Sequence, residues 1–118
     1  MKNRTLLNAF NEQRVGKRRA VKWEAAIKRK KDKTSTPAVT LNISSYGVLL
    51  ESPSLLKVGE KPPLMIVVDY RNFHFALYAK GIVRHATTKD LDCYIGIEFL
   101  KLNITHRNFL IRFTKGLI

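Results

Sequence analysis

The sequence predicts a mainly β protein: a small antiparallel barrel or sandwich with one helix packed against it. Three observations lead there. Apolar residues alternate with period two through much of residues 21–102, as in strands with one buried face. Turn-forming residues break the alternation at short intervals, as in a small antiparallel barrel or sandwich. After Asn103 and Thr105, either of which can cap a helix, Phe109, Leu110, Phe113 and Leu117 recur at helical spacing. A chain of 118 residues fits one domain.

Taken in order, residues 5–13 (TLLNAFNEQ) place Leu6, Leu7 and Phe10 on one face of a short helix capped by Thr5. This tail, 1–13, precedes the domain proper, 14–118. RVGKRR follows, basic and with an internal glycine, and reads as a mobile arm. Val21, Trp23, Ala25 and Ile27 alternate with Lys22, Glu24 and Ala26, a strand in which Trp23 belongs to the core. Beyond a basic run, Val39, Leu41 and Ile43 form a second strand, and Ser44, Ser45, Tyr46 and Gly47 connect it tightly to Val48, Leu49 and Leu50. Pro53, Gly59, Pro62 and Pro63 mark a long loop. LMIVVDY (64–70) is an apolar, β-branched strand, and Arg71 and Asn72 turn it into a longer one, 73–85. ATTKDLD (86–92) reads as a polar loop before the strand 93–102.

Composition narrows the function. The net charge is +13, and twelve of the 22 lysines and arginines fall in the first 33 residues. Such a field attracts anions: nucleotides, nucleic acid or anionic lipid. The run Lys28–Lys33 carries no aromatic side chain and reads as a solvated loop. No apolar stretch approaches the ~20 residues a membrane helix needs. The N-terminus has no secretion-signal pattern. Cys93 is the one cysteine, which excludes an internal disulfide and fits a reducing, cytoplasmic setting. It is expected to pack as a small apolar residue. His74, His85 and His106 share no ligand spacing, so no metal or cofactor is expected. Neither GxxxxGK[ST] nor GxGxxG occurs, and Ser44 and Ser45 lack a base at any suggestive spacing. Catalytic residues are expected to be absent.

Two short elements carry more. Arg14 and Arg18 form RxxxR, with Arg19 directly after; Asn42, Ser44 and Gly47 form NxSxxG between two expected strands. Either alone is a weak signal. In this order and setting they resemble the PilZ family, whose motif pair is RxxxR followed by [D/N]xSxxG at a strand-to-strand turn. GIVR at 81–84 and YIGIEF at 94–99 resemble the family's GxV and closing GxxF strands, so the likeness spans roughly 14–100. The resemblance implies a six-stranded β-barrel with a C-terminal helix. It also implies binding of cyclic di-GMP, frequently as a stacked dimer, and relay of the signal to a protein partner. The implied ligand residues are Arg14, Arg18, Arg19, Asn42, Ser44 and Gly47.

The residue types suit that ligand. A guanidinium grips phosphate through forked, charge-assisted bonds and donates to guanine O6 and N7, and its plane stacks on a base. The Asn42 oxygen and the Ser44 hydroxyl are expected to accept from guanine N1–H and N2–H₂. Gly47 is expected where φ is positive or where the ligand approaches closely. Asparagine offers one acceptor oxygen where the family's aspartate has two, which predicts weaker recognition. Two rival readings stand beside this one. A single-stranded nucleic-acid binder would want aromatics interleaved with cations, yet no Lys or Arg lies between Phe73 and Tyr78. A pure interaction module would have no need of the arginine pair.

Overall fold

The structure, a computed structural model, describes residues 17–29 and 34–118. The expected helix at 5–13, Arg14 and the Lys30–Lys33 run lie outside the described residues.

The described chain runs β1 (Arg19–Ala20), β2 (Glu24–Lys28), β3 (Ser35–Ile43), β4 (Gly47–Ser52), β5 (Pro63–Tyr70), β6 (Phe73–Lys89), β7 (Asp92–Leu102) and a helix, α1 (Ile104–Thr114). All pairings are antiparallel. The order β3-β2-β5-β6-β7-β4 is closed by pairing of β4 with β3, giving a six-stranded barrel without a free edge. The short β1 pairs with the far end of β3, Arg19 opposite Ile43 and Ala20 opposite Asn42, beside the stretch of β3 that β2 occupies.

Alternation explains the core. Ile27, Ile43, Val48, Leu50, Ile66, Val68, Leu77, Val83, Ile95 and Ile97 point inward and are almost wholly shielded. Each such side chain contributes about 1.5–3 kcal/mol when buried. Trp23 joins them as expected, its indole N–H donating to the Asp69 carbonyl at 2.9 Å. Cys93 is a buried free thiol.

Three local readings change. The strand expected from Val21 begins only at Glu24, because Thr40 stitches the preceding residues instead. Its buried hydroxyl donates to the Val21 carbonyl at 2.5 Å and accepts from the Trp23 N–H at 2.8 Å. The expected loop 86–92 is mostly strand: β6 continues to Lys89, paired with Asp92, and only Asp90 (φ 58°) and Leu91 turn the chain. Polar residues mislead there because this end of the hairpin projects into solvent on both faces. Leu117 lies beyond α1 and is 66% exposed.

Asn103 caps α1, its side-chain oxygen accepting from the backbone N–H of Thr105 and His106. Phe109, Leu110 and Phe113 turn inward over the barrel. Phe113 packs 5.0 Å from Trp23 and 4.9 Å from Tyr70, ring centre to ring centre. Phe109 sits 4.9 Å from Phe73 and 5.1 Å from Phe75. The helix thus covers the apolar rings that the β5–β6 hairpin would otherwise expose.

Candidate ligand site

The site is built from a turn, and the turn is built around Ser44. Residue 44 is fully buried, and its hydroxyl oxygen accepts from the backbone N–H groups of Tyr46 and Gly47, each at 3.1 Å. The Ser44 N–H donates to the Gly47 carbonyl at 2.8 Å. This side-chain-to-backbone closure is the kind that makes serine a turn former. The Ser44 oxygen, expected to accept from guanine, lies inside the turn and here accepts from two of its backbone N–H groups.

Of the two reasons expected for Gly47, positive φ does not apply. A Cβ there would stand 2.5 Å from the Ile97 carbonyl oxygen, so close approach of β7 requires the glycine. Arg107 of α1 fastens the other side, donating to the Ser45 carbonyl at 2.8 Å with its guanidinium 5.0 Å from the Tyr46 ring centre. No sequence signal separates Arg107 from the other helix cations.

Against this rigid turn lies the root of the arm. Arg18 donates from Nη1 to the Asn42 side-chain oxygen at 2.9 Å, across 24 positions of sequence. The contact is solvent-exposed. Partial burial pulls the Arg18 guanidinium below the usual arginine range, yet it remains charged at neutral pH. The two motifs, distant in sequence, therefore meet. Arg14 lies outside the described residues.

Arg19 goes elsewhere. Its Nη1 donates to the Phe113 carbonyl at 2.8 Å and its Nη2 to the Tyr70 hydroxyl at 3.3 Å. Its guanidinium carbon lies 4.2 Å from the centre of the Phe113 ring. Tyr70 in turn donates to the Ile118 carbonyl at 2.9 Å. Arg19, expected among the ligand residues, here joins β1 to β5 and α1. Arg18 lies just before β1 and meets Asn42 of β3, whereas Arg19 is the first residue of β1 and meets β5 and α1.

Among the described residues, no group of three or more His, Cys, Asp or Glu side chains gathers to hold a metal ion. None of the described helices is long and apolar enough to cross a membrane. Of the aromatic stretch a nucleic-acid binder would display, Tyr70, Phe73 and Phe75 pack on α1, whereas Tyr78 is 65% exposed.

Fold and site together define a class: a closed basic barrel whose N-terminal arm meets a polar strand turn. The model of the PilZ domain family matches residues 12–116, and the chain belongs to that family of ligand-binding regulatory modules in cyclic di-GMP signalling. No curated protein matches significantly. Among solved structures, the chain is similar to the Bacillus subtilis inhibitor of motility MotI/DgrA, with TM-score 0.73, 14% identity, and 86% of this chain and 49% of that one covered. It therefore spans about half the length of that protein. It is also similar to the PilZ domain of CeSA from a cellulose-synthesizing bacterium, with TM-score 0.56, 18% identity, and 86% and 98% covered.

Proposed function

We propose that the chain binds cyclic di-GMP between the arm arginines, Arg14 and Arg18, and the turn carrying Asn42, and that binding orders the arm so that a protein partner reads the change. The observation that carries this reading is the 2.9 Å contact between Arg18 and Asn42. It puts a forked cation and an amide side by side at the surface, one suited to phosphate or guanine O6 and N7, the other to guanine's donors. Ser44, Gly47 and Arg107 hold the turn; Arg19 holds the root of the arm. The ligand enters by exchanging with an exposed pair, so little folded structure is lost when it does. A cytoplasmic setting belongs to the same proposal and agrees with the free thiol of Cys93. Output through a protein partner is favoured by the neighbour whose name describes an inhibitor of motility.

Calorimetric titration with cyclic di-GMP, GMP, cyclic di-AMP and a single-stranded oligonucleotide tests the reading. Selective binding of cyclic di-GMP is expected. Similar, steeply salt-dependent binding of every polyanion would instead reveal nonspecific electrostatics, and silence in every titration would leave an interaction module.

A further inference from the structure

The outer face of the barrel carries a second feature, separate from the Arg18–Asn42 contact. Cross-strand register sets Pro37, Ala26, Met65 and Tyr78 in one apolar row over β3, β2, β5 and β6. None of the four belongs to the buried core, and Tyr78 is 65% exposed. Two places along the strands, about 7 Å away, a second row runs Glu24, Val39, Glu51 and Tyr94 over β2, β3, β4 and β7. Pro37, Met65, Glu24, Val39 and Glu51 line one open groove of about 750 Å³, and Asp92 lines it with them. Among the described residues Glu24, Glu51 and Asp92 form no ion pair, in a chain of net charge +13 with only nine acidic residues. The Tyr94 phenol is pushed up by burial and then by Glu51, Asp92 and Asp90, in keeping with a negative local field. On the other side of the apolar row lie cations, Lys28 beyond Ala26 and Lys80 beyond Tyr78, so the acidic border is one-sided.

We propose that this face docks a basic amphipathic helix of a protein partner, its apolar side on the Pro37–Tyr78 row and its cations along one flank, over Glu24, Glu51 and Asp92. Charge selects the sign of the occupant. Three unpaired carboxylates beside an apolar strip complement a segment that brings its own lysines or arginines, and the rest of this cationic surface repels such a segment. Barrel closure selects its form. The strands β2, β3 and β5 under the groove are each paired on both sides, so an extended segment finds no open edge to extend. A helix satisfies its own backbone and needs only side-chain contacts. The one-sided border also fixes how the helix is turned, because its cations would meet like charge on the Lys28 and Lys80 side. This docking does not rest on the nucleotide reading, and its test uses nucleotide-free protein.

Met65 reports on the groove, since Met1 is the only other methionine. The probe is a synthetic helical peptide of about four turns, with leucines on one face, lysines along one flank, and alanine and glutamine elsewhere. Two companions carry glutamate in place of every lysine, or serine in place of every leucine. In the full-length protein labelled with ¹³C-methyl methionine, the leucine–lysine peptide is expected to shift the Met65 methyl saturably, and neither companion is. Glu24→Gln with Glu51→Gln should weaken that peptide by roughly tenfold or more, with the melting temperature of the free protein unchanged. Glu24→Lys with Glu51→Lys should transfer binding to the glutamate companion. A Met65 methyl unmoved by the leucine–lysine peptide overturns the proposal. So does an equal response to either companion, or unaltered affinity in both double variants. A Met65 signal that moves with protein concentration alone overturns it as well, because the face then belongs to a second copy of this chain.

Discussion

Arg18 and Arg19 are neighbours, and the barrel uses them in opposite ways. Arg18 reaches along the surface to the Asn42 side chain, whereas Arg19 reaches under the helix to the Phe113 carbonyl and ring. The first contact is exposed, and exposed polar pairs add little to stability and exchange readily with other partners. The second is partly buried and joins three elements, so losing it leaves groups of the folded state unpaired. The lesson is that a run of cations is not one functional unit. One cation stays at the surface and its neighbour is committed to the fold.

Substitutions can break or sharpen this contrast. The largest effect is expected from Phe113→Ala, which removes the ring that Trp23, Tyr70 and Arg19 share; a loss of about 3–5 kcal/mol in denaturant unfolding would follow from burial and cavity formation. A loss below 1 kcal/mol would show that the helix-covered end is not the stabilising one. Arg18→Ala comes next. Affinity for cyclic di-GMP should fall by about 1.5–3 kcal/mol, roughly 10- to 100-fold by calorimetry, while unfolding of the free protein stays within about 0.5 kcal/mol of the original.

Arg19→Ala should give the reverse signature, with about 2 kcal/mol less stability from a lost charged hydrogen bond and a lost contact over the Phe113 ring. Arg19→Lys should not restore it, because a point charge cannot span the Phe113 carbonyl and the Tyr70 hydroxyl together. If Arg18→Ala destabilises the protein more than Arg19→Ala does, the division between the two is wrong. The smallest change is expected from Asn42→Asp, which pairs Arg18 with a charge and restores a second acceptor oxygen; affinity should hold or rise slightly. A large loss there would show that the amide's N–H₂ donors are what the ligand meets.

Much of the fold could be read from local pattern. Period-two alternation marks most of the barrel strands, and Asn103 with Phe109, Leu110 and Phe113 marks α1, because a half-buried element writes its geometry into its own residues. The tight turn at 44–47 was legible for a related reason: turn chemistry is a property of a short segment. The ATTKDLD stretch and Leu117 were not legible, since both ends project beyond the core, where burial no longer constrains residue choice.

By itself, then, the sequence determined most of the element types and the tight turn at 44–47, each of which depends on neighbours within a few residues. Only tertiary structure decided that β4 closes onto β3, that Ser44 points into its own turn, and that the adjacent Arg18 and Arg19 reach Asn42 and Phe113 separately. It also decided that Gly47 answers to the Ile97 carbonyl and that Phe73 and Phe75 are covered by α1. The physical reason is common to all of these. Each depends on which distant backbone or ring arrives within hydrogen-bonding or packing distance, and that is set by barrel closure rather than by any local run of residues.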